Sequence, residues 1–195
     1  MDKDATEFPH IETARLLLRQ ITFDDAEAVL THFSDAEMLT YIDFEPLTCK
    51  IQAEGVISWG TNIYTTGEGI LWGIVEKQTN AFIGTINYLK KKEDDAAHRA
   101  EITYDLAKQY WGRGFMPEAI QATLPYVFEV MGITRIETTV HVQNFQSALV
   151  LIKSGFHMEG VLRKYKWFHG VLCDVMVFSL LNQDWQAFLE GQPIL

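Results

Sequence analysis

Cysteine is scarce: the 195 residues hold two, Cys49 and Cys173. Two are too few for a disulfide scaffold, and neither sits at a metal or redox spacing, so no metal is expected and a reducing cytoplasm is the simplest home. Long hydrophobic runs are also missing. No stretch reaches the ~18 apolar residues that a bilayer crossing requires. The opening Met-Asp-Lys-Asp is polar and acidic, unlike a secretory signal, so no membrane association is expected. Basic charge is in short supply, with 16 Lys and Arg against 26 Asp and Glu and a net charge of −10. A phosphate-backbone binder needs a basic surface. The one basic run, Lys90-Lys91-Lys92, is followed at once by Glu93-Asp94-Asp95, the composition of a solvated hairpin end. Nucleic acid is therefore not an expected partner, and the acidic body favours cationic ones such as amines or basic peptides. Neither G-x-x-x-x-G-K-[ST] nor G-x-G-x-x-G occurs, which leaves a nucleoside-triphosphate loop and a dinucleotide fingerprint without support.

What is present suits a globular enzyme-sized domain: 48% hydrophobic and 22% charged residues, without repeats or low-complexity stretches. Length and composition predict one domain over residues 1–195, with a loose lead-in over 1–12 and a C-terminal tail over 183–195. Arg15 to Ile21 reads as a first strand. Thr22 to Asp25 offers capping side chains for a helix over Ala26 to Phe33, and Ser34-Asp35 caps a short one through Leu39. Thr48 to Tyr64 reads as a helix weakened by Gly55 and Gly60. Ile70 to Val75, Phe82 to Leu89 and Arg99 to Ala107 read as strands, the first two joined by a hairpin at Thr79-Asn80. A helix opening at Phe115 carries Ile120, Leu124, Val127, Phe128 and Met131 on one stripe. Pro125 lacks the N–H that the carbonyl of Gln121 needs, so a kink or break is expected there, and Gly132 fits the stop. A strand over Arg135 to Val142, a short helix from Phe145 to Ser154 capped by Asn144, and a hairpin of Phe156 to Trp167 with Val171 to Leu181 complete the order. The expected fold class is α+β: a mixed, mostly antiparallel twisted sheet of about seven strands, helices on both faces.

The chemistry concentrates at Gln109-Tyr110-Trp111-Gly112-Arg113-Gly114, where a strand gives way to a helix. The first N–H groups of a helix have no intrahelical partner and carry the positive end of the macrodipole. Glycines there let a bulky anion approach the backbone without meeting a Cβ, and Arg113 adds a charge. The expected ligand is a phosphate or pyrophosphate; the alternative is an ordinary strand-to-helix turn.

Gln109-x-x-Gly112-x-Gly114 resembles the [QR]-x-x-G-x-[GA] pyrophosphate loop of the GNAT superfamily of acetyl-CoA-dependent N-acetyltransferases. Glu101-Ile-Thr-Tyr-Asp-Leu106, Tyr110-Trp-Gly-Arg-Gly-Phe115, and Asn144-Phe-Gln-Ser147 with Gly155-Phe156 resemble the branch that acetylates ribosomal-protein N-termini, the RimJ/RimL type. The similarity runs from about Thr13 to about Asn182. It implies a sheet whose fourth and fifth strands are parallel and splayed, with the pantetheine arm of acetyl-CoA in the gap. It implies that the backbone of Tyr104, Asp105 and Leu106 pairs with the pantetheine amides, and that the Leu106 N–H faces the oxyanion. The loop residues Gln109, Trp111, Gly112, Arg113, Gly114, Phe115 and Met116 would hold the pyrophosphate.

The remaining roles follow from the same resemblance. Asn144 would contact the cofactor as well as cap its helix, and Ser147 would hydrogen-bond the pantetheine or the leaving thiolate. Glu101 would be either a general base for the acceptor ammonium or a structural acceptor that orients the substrate; a neutral amine would need no base. Many members place a tyrosine seven residues after the asparagine as general acid. Here that position is Leu151, which excludes such a step. Tyr41, Phe44, Trp59, Trp72, Tyr88, Tyr165 and Trp167 are candidate walls of the acceptor pocket. His141 and Asp174 are candidates for the site with structural roles preferred, Asp174 pairing with Arg163 or meeting a cationic substrate. The acceptor is a primary amine, either a peptide N-terminal α-amine or a small amine such as an amino acid, polyamine or antibiotic. A non-catalytic acyl-CoA-binding protein is the third reading. Either a monomer or a homodimer is compatible.

Overall fold

The computed structural model describes residues 7–91 and 98–189. The acidic end of the charged tip, with Lys92, lies outside the described residues. Within them, eight strands form one sheet: β1 Ile11–Glu12, β2 Leu16–Gln20, β3 Gly69–Glu76, β4 Ala81–Lys90, β5 Arg99–Leu106, β6 Arg135–His141, β7 His157–Phe168 and β8 Val171–Leu181. Their order is β1-β2-β3-β4-β5-β6-β8-β7, and every neighbouring pair is antiparallel except β5 with β6. Five α-helices accompany them: α1 Ala26–Phe33, α2 Lys50–Thr65, α3 Phe115–Pro125, α4 Phe145–Lys153 and α5 Asn182–Leu189.

Side chains alternate across a strand, so the sheet buries two separate apolar faces. One face, carrying Trp72, Ile86, Tyr88 and Ile102, packs on Phe115, Ile120 and Leu124 of α3. The other face presents Leu71 to Val29 and Phe33 of α1 and to Ala53, Ile57 and Ile63 of α2. Gly60 explains why a helix-weakening residue sits in α2. A Cβ there would lie 2.7 Å from Leu71 Cδ2, so the glycine sets how closely α2 approaches β3. The N-terminus of α2 is closed by Gln52, whose Oε1 accepts from Thr48 N at 2.7 Å and Cys49 N at 3.3 Å.

One expectation needs correction and another is met. The stretch ahead of the first expected strand is not loose over its described part: Phe8 is buried, Trp72 Nε1 donates to Pro9 O at 2.8 Å, and Ile11–Glu12 adds an eighth strand. Pro125 does break the α-helical ladder, as expected: α3 ends on it. The chain then widens into a π turn over Tyr126–Val130, with Met131 N donating to Tyr126 O at 3.0 Å. Gly132 then takes φ +68°, the expected left-handed stop.

At the β7–β8 edge, Arg135 grips Glu159 through two bonds of 2.8 and 2.9 Å, and Ser179 Oγ donates to the same carboxylate at 2.5 Å. The Arg135 hydrogen bonds hold Glu159 down to about 2, from an ordinary 4.5. A lowered carboxylate contributes stability that is present above its unfolded value and lost as pH falls through the folded one. Glu159→Gln is therefore expected to flatten the fall in thermal midpoint between about pH 4.5 and pH 2, as followed by circular dichroism. The effect is modest because the pair is partly exposed.

Candidate active site

The parallel pairing of β5 and β6 covers Arg99↔Arg135, Ala100↔Ile136 and Glu101↔Glu137. Beyond Glu101 the two strands run on without pairing, and the sheet opens between them. The direction of the freed backbone groups follows from the ladder. Ala107 N donates to Ile83 O at 2.8 Å and Arg99 O accepts from Lys91 N at 3.0 Å, while the β4–β5 register is regular from Gly84↔Leu106 to Lys90↔Ala100. N–H and C=O groups alternate sides along such a strand. Odd-numbered residues of β5 thus address β4, and the main chain of Ile102, Tyr104 and Leu106 addresses the gap.

A cleft of about 650 Å³ occupies this opening. Ile102 to Asp105 line one side, and Thr138 to His141 line the other. Asn144 and Ser147 border it beside α4, and Phe33, Tyr41, Phe44, Val56 and Trp59 border it beside α1 and α2. The cleft therefore passes from one face of the sheet to the other. Tyr41, Phe44 and Trp59 are the expected walls that the structure places here. Trp72 and Tyr88 are core residues instead, each 0% exposed, because their register points them at α3. Tyr165 and Trp167 lie exposed on the edge strand, away from the lining.

The loop after β5 runs through a turn of 3-10 helix, Lys108–Tyr110, to Gly114, the N-cap of α3. No side chain caps this helix. Its first backbone bond is Glu118 N to Gly114 O at 3.3 Å, and Pro117 has no N–H, so Phe115 and Met116 carry the orphan donors of the first turn. Their side chains are buried, which leaves only their main chain for a ligand. Gly112 and Gly114 hold φ +71° and +77°, left-handed values that L side chains resist. An ideal Cβ on Gly112 would meet nothing within 4 Å. That open space above uncapped donors fits a diphosphate. Gln109 is exposed on the preceding turn. Trp111 Nε1 donates to Leu106 O at 2.6 Å and ties the loop to the end of β5. Arg113 folds back over the rings of Tyr110 and Phe115 and lies 3.6 Å from Glu76.

Sequence reading missed the brace under this loop. Arg15 Nη1 donates to Arg113 O at 2.9 Å, its guanidinium lies 4.3 Å from the Phe115 ring centre, and Nε donates to Glu118 Oε2 at 2.6 Å. Thr13 donates to the same Glu118 at 2.5 Å. These contacts join positions 98 to 105 residues apart, and no local pattern marks them.

Asp105 is expected as a backbone partner of the cofactor, and its side chain is engaged elsewhere. It accepts from Thr85 Oγ1 at 2.5 Å and Thr85 N at 2.9 Å, and meets His32 Nε2 at 2.5 Å. This carboxylate locks β5 to β4 and α1. Asn144 caps α4 as expected, its Oδ1 accepting from Ser147 N at 3.1 Å. Ser147 Oγ lies 2.8 Å from the Tyr104 hydroxyl, which also donates to Ser147 O at 3.1 Å. Burial pushes the Tyr104 phenol well above its ordinary value. Leu151 is fully buried in the core. Glu101 is not brought into the cleft lining: its Oε2 takes Lys91 Nζ at 2.7 Å. His141 does line the cleft, with Nδ1 accepting from Gln143 N at 3.1 Å, an arrangement that places the proton of the neutral ring on Nε2. Asp174 turns away, and its Oδ1 accepts from Lys164 N at 2.8 Å where β7 bulges. The partner it meets is the backbone of Lys164 in place of Arg163. Asn87 is 8% exposed on the cleft floor; Nδ2 donates to Thr103 Oγ1, and Oδ1 has no partner.

A sheet splayed between its one parallel pair, with an uncapped glycine loop at the end of the first strand, defines an acyl-transfer architecture. The sequence profile of the acetyltransferase (GNAT) domain matches residues 15–157. The Bacillus subtilis (strain 168) N-acetyltransferase YoaA, itself uncharacterized, is 39% identical over 177 residues, 90% of this chain and 98% of its own. The [ribosomal protein uS5]-alanine N-acetyltransferase of Escherichia coli (strain K12) is 25% identical over 61% of each chain. In three dimensions, the ribosomal L7/L12 α-N-protein acetyltransferase RimL in complex with coenzyme A superposes with a TM-score of 0.80. That match has 19% identity and covers 89% of this chain and 98% of that one, a likeness of fold. The chain belongs to the GNAT family of acetyltransferases. Its activity is N-acetyl transfer.

Proposed function

We propose that this N-acetyltransferase moves the acetyl group of acetyl-CoA onto a primary amine, and that the preferred amine is the α-amine of a protein or peptide N-terminus. The observation that carries this reading is the cleft that pierces the sheet at the β5–β6 splay. It lets donor and acceptor approach one point from opposite faces, which is what direct attack requires. On the donor side, the N–H groups of Gly112 to Met116 take the diphosphate, the Trp111 N–H being held by Lys108 O at 3.0 Å, and the gap-facing main chain of Tyr104 and Leu106 takes the pantetheine amides, with Asn144 beside them. The Leu106 N–H is the oxyanion donor. Bound acetyl-CoA supplies the thioester: a C–N bond forms at its carbonyl carbon as the C–S bond breaks, the electron pair leaves on sulfur, and one amine proton passes to solvent.

On the acceptor side, Phe33, Tyr41, Phe44, Val56 and Trp59 offer an apolar wall for the side chain beside the amine. The net charge of −10 and the resemblance to the Escherichia coli ribosomal-protein enzyme also support a peptide. Because Glu101 lies outside the lining and is held by Lys91, the acceptor arrives neutral or loses its proton to solvent. Glu101→Gln is then expected to keep kcat within about threefold of the parent, and its rate to rise with pH as the free amine does.

The test offers acetyl-CoA with basic peptides of varied first residue and with small amines, while free thiol release is followed. Faster turnover of peptides supports the reading. Turnover confined to small amines overturns the choice of acceptor, and absence of any affinity for CoA overturns the whole.

A further inference from the structure

The tyrosine that many relatives of this fold place seven residues beyond the asparagine is absent, because Leu151 stands there and is buried. The structure nevertheless brings a different tyrosine to the same helix. Tyr104 rises from β5, crosses the gap, and sets its hydroxyl 2.8 Å from Ser147 Oγ and 3.1 Å from Ser147 O on α4.

From this geometry we infer that Tyr104 is a positioning residue that acts through Ser147, donating to its Oγ so that the serine proton is aimed into the cleft at the departing sulfur. The inference rests on the acetyl-transfer reading above and adds a residue whose side chain that reading leaves unused.

The hydrogen count makes the two arrangements exclusive: the hydroxyl bonds Ser147 O in the structure, and the bound thiolate would turn it to Oγ. A phenol has a single proton, and so does a serine hydroxyl. If Tyr104 gives its proton to the Ser147 carbonyl, Ser147 must spend its own on Tyr104, and nothing remains for a ligand. If Tyr104 gives its proton to Oγ, the serine proton is free, and Ser147 borders the cleft. A nascent thiolate selects the second arrangement, since a hydrogen bond to a charged acceptor is the stronger of the two. A hydroxyl that accepts a bond donates a better one, because linked hydrogen bonds polarise each other. Burial keeps the phenol protonated across the working pH range, so the donor is always loaded. No proton leaves Tyr104. The sulfur departs with the C–S electron pair as a thiolate, held by Ser147 Oγ–H, and is protonated later by solvent.

The test compares the parent, Tyr104→Phe, Ser147→Ala and the double variant. Tyr104→Phe is expected to lower kcat about tenfold with KM for the amine unchanged. In the Ser147→Ala background the same change is expected to cost less than about twofold, because the residue it acts through is gone. A second readout needs no turnover. Titration of the bound CoA thiol by thiolate absorbance is expected to give a value about one pH unit higher in Tyr104→Phe than in the parent, with equal affinities for desulfo-CoA. Equal costs of Tyr104→Phe in both backgrounds, or an unchanged thiol titration, would show a mere brace across the gap and overturn the inference. Neither result touches the acetyl-transfer reading, which fails only if the parent neither binds CoA nor releases thiol.

Discussion

Gly112→Val is expected to weaken CoA binding by about 100-fold while the protein still folds. The residue holds φ +71°, so any side chain costs some backbone energy, ~1–2 kcal/mol for the left-handed region. The folded protein itself has room, since no protein atom lies within 4 Å of the added Cβ. What the branched side chain would displace is the diphosphate that we propose sits over Phe115 N–H and Met116 N–H. Calorimetric titration with CoA measures the loss, and thermal unfolding measures the strain separately. Gly112→Ala carries the same backbone strain with a smaller obstruction, so its binding loss should fall between parent and valine. A folded Gly112→Val that binds CoA as tightly as the parent would move the diphosphate away from this loop.

Ser147→Ala is expected to lower kcat by about 100-fold with KM for acetyl-CoA and amine little changed. The structure separates the chemical role from the architectural one. Asn144 caps α4 through the main-chain N–H of Ser147, at 3.1 Å, and alanine retains that N–H. The helix therefore stays closed when the hydroxyl is removed. Asn144→Ala provides the contrast: it removes the cap, costs ~1 kcal/mol of stability, and loosens Ser147 by an indirect route. Steady-state kinetics with thermal unfolding of both variants resolve the two effects. A Ser147→Ala enzyme with parental kcat would leave the leaving thiolate to solvent alone.

Much of the architecture is legible in the chain because its signals are local. An apolar run marks β3, hairpin chemistry marks β3 with β4 and β7 with β8, alternation marks β6, the Gly112 and Gly114 pair marks the loop, and Asn144 announces α4 by capping it. β1 is not legible, since two residues carry no period. The π turn follows from Pro125 only as a disturbance, because a missing donor does not say whether the chain breaks or widens. The site divides in the same way. The uncapped first turn at Gly114 to Met116 follows from a strand-glycine-helix order. Side-chain partnerships do not, because they join positions far apart: Arg15 with Glu118, His32 with Asp105, Tyr104 with Ser147. The aromatic walls were divisible only by register, which sends Trp72 and Tyr88 to the α3 face and leaves Tyr41, Phe44 and Trp59 at the cleft. Glu101 shows the same limit. Its place on a site strand is readable, but its capture by Lys91 is not.

A crystal structure of the protein soaked in coenzyme A tests the central claim most directly. The account predicts the diphosphate on the main-chain N–H groups from Gly112 to Met116, with the pantetheine arm running through the β5–β6 opening toward Ser147. Density for the diphosphate at any other surface, with that opening left unfilled, would contradict it.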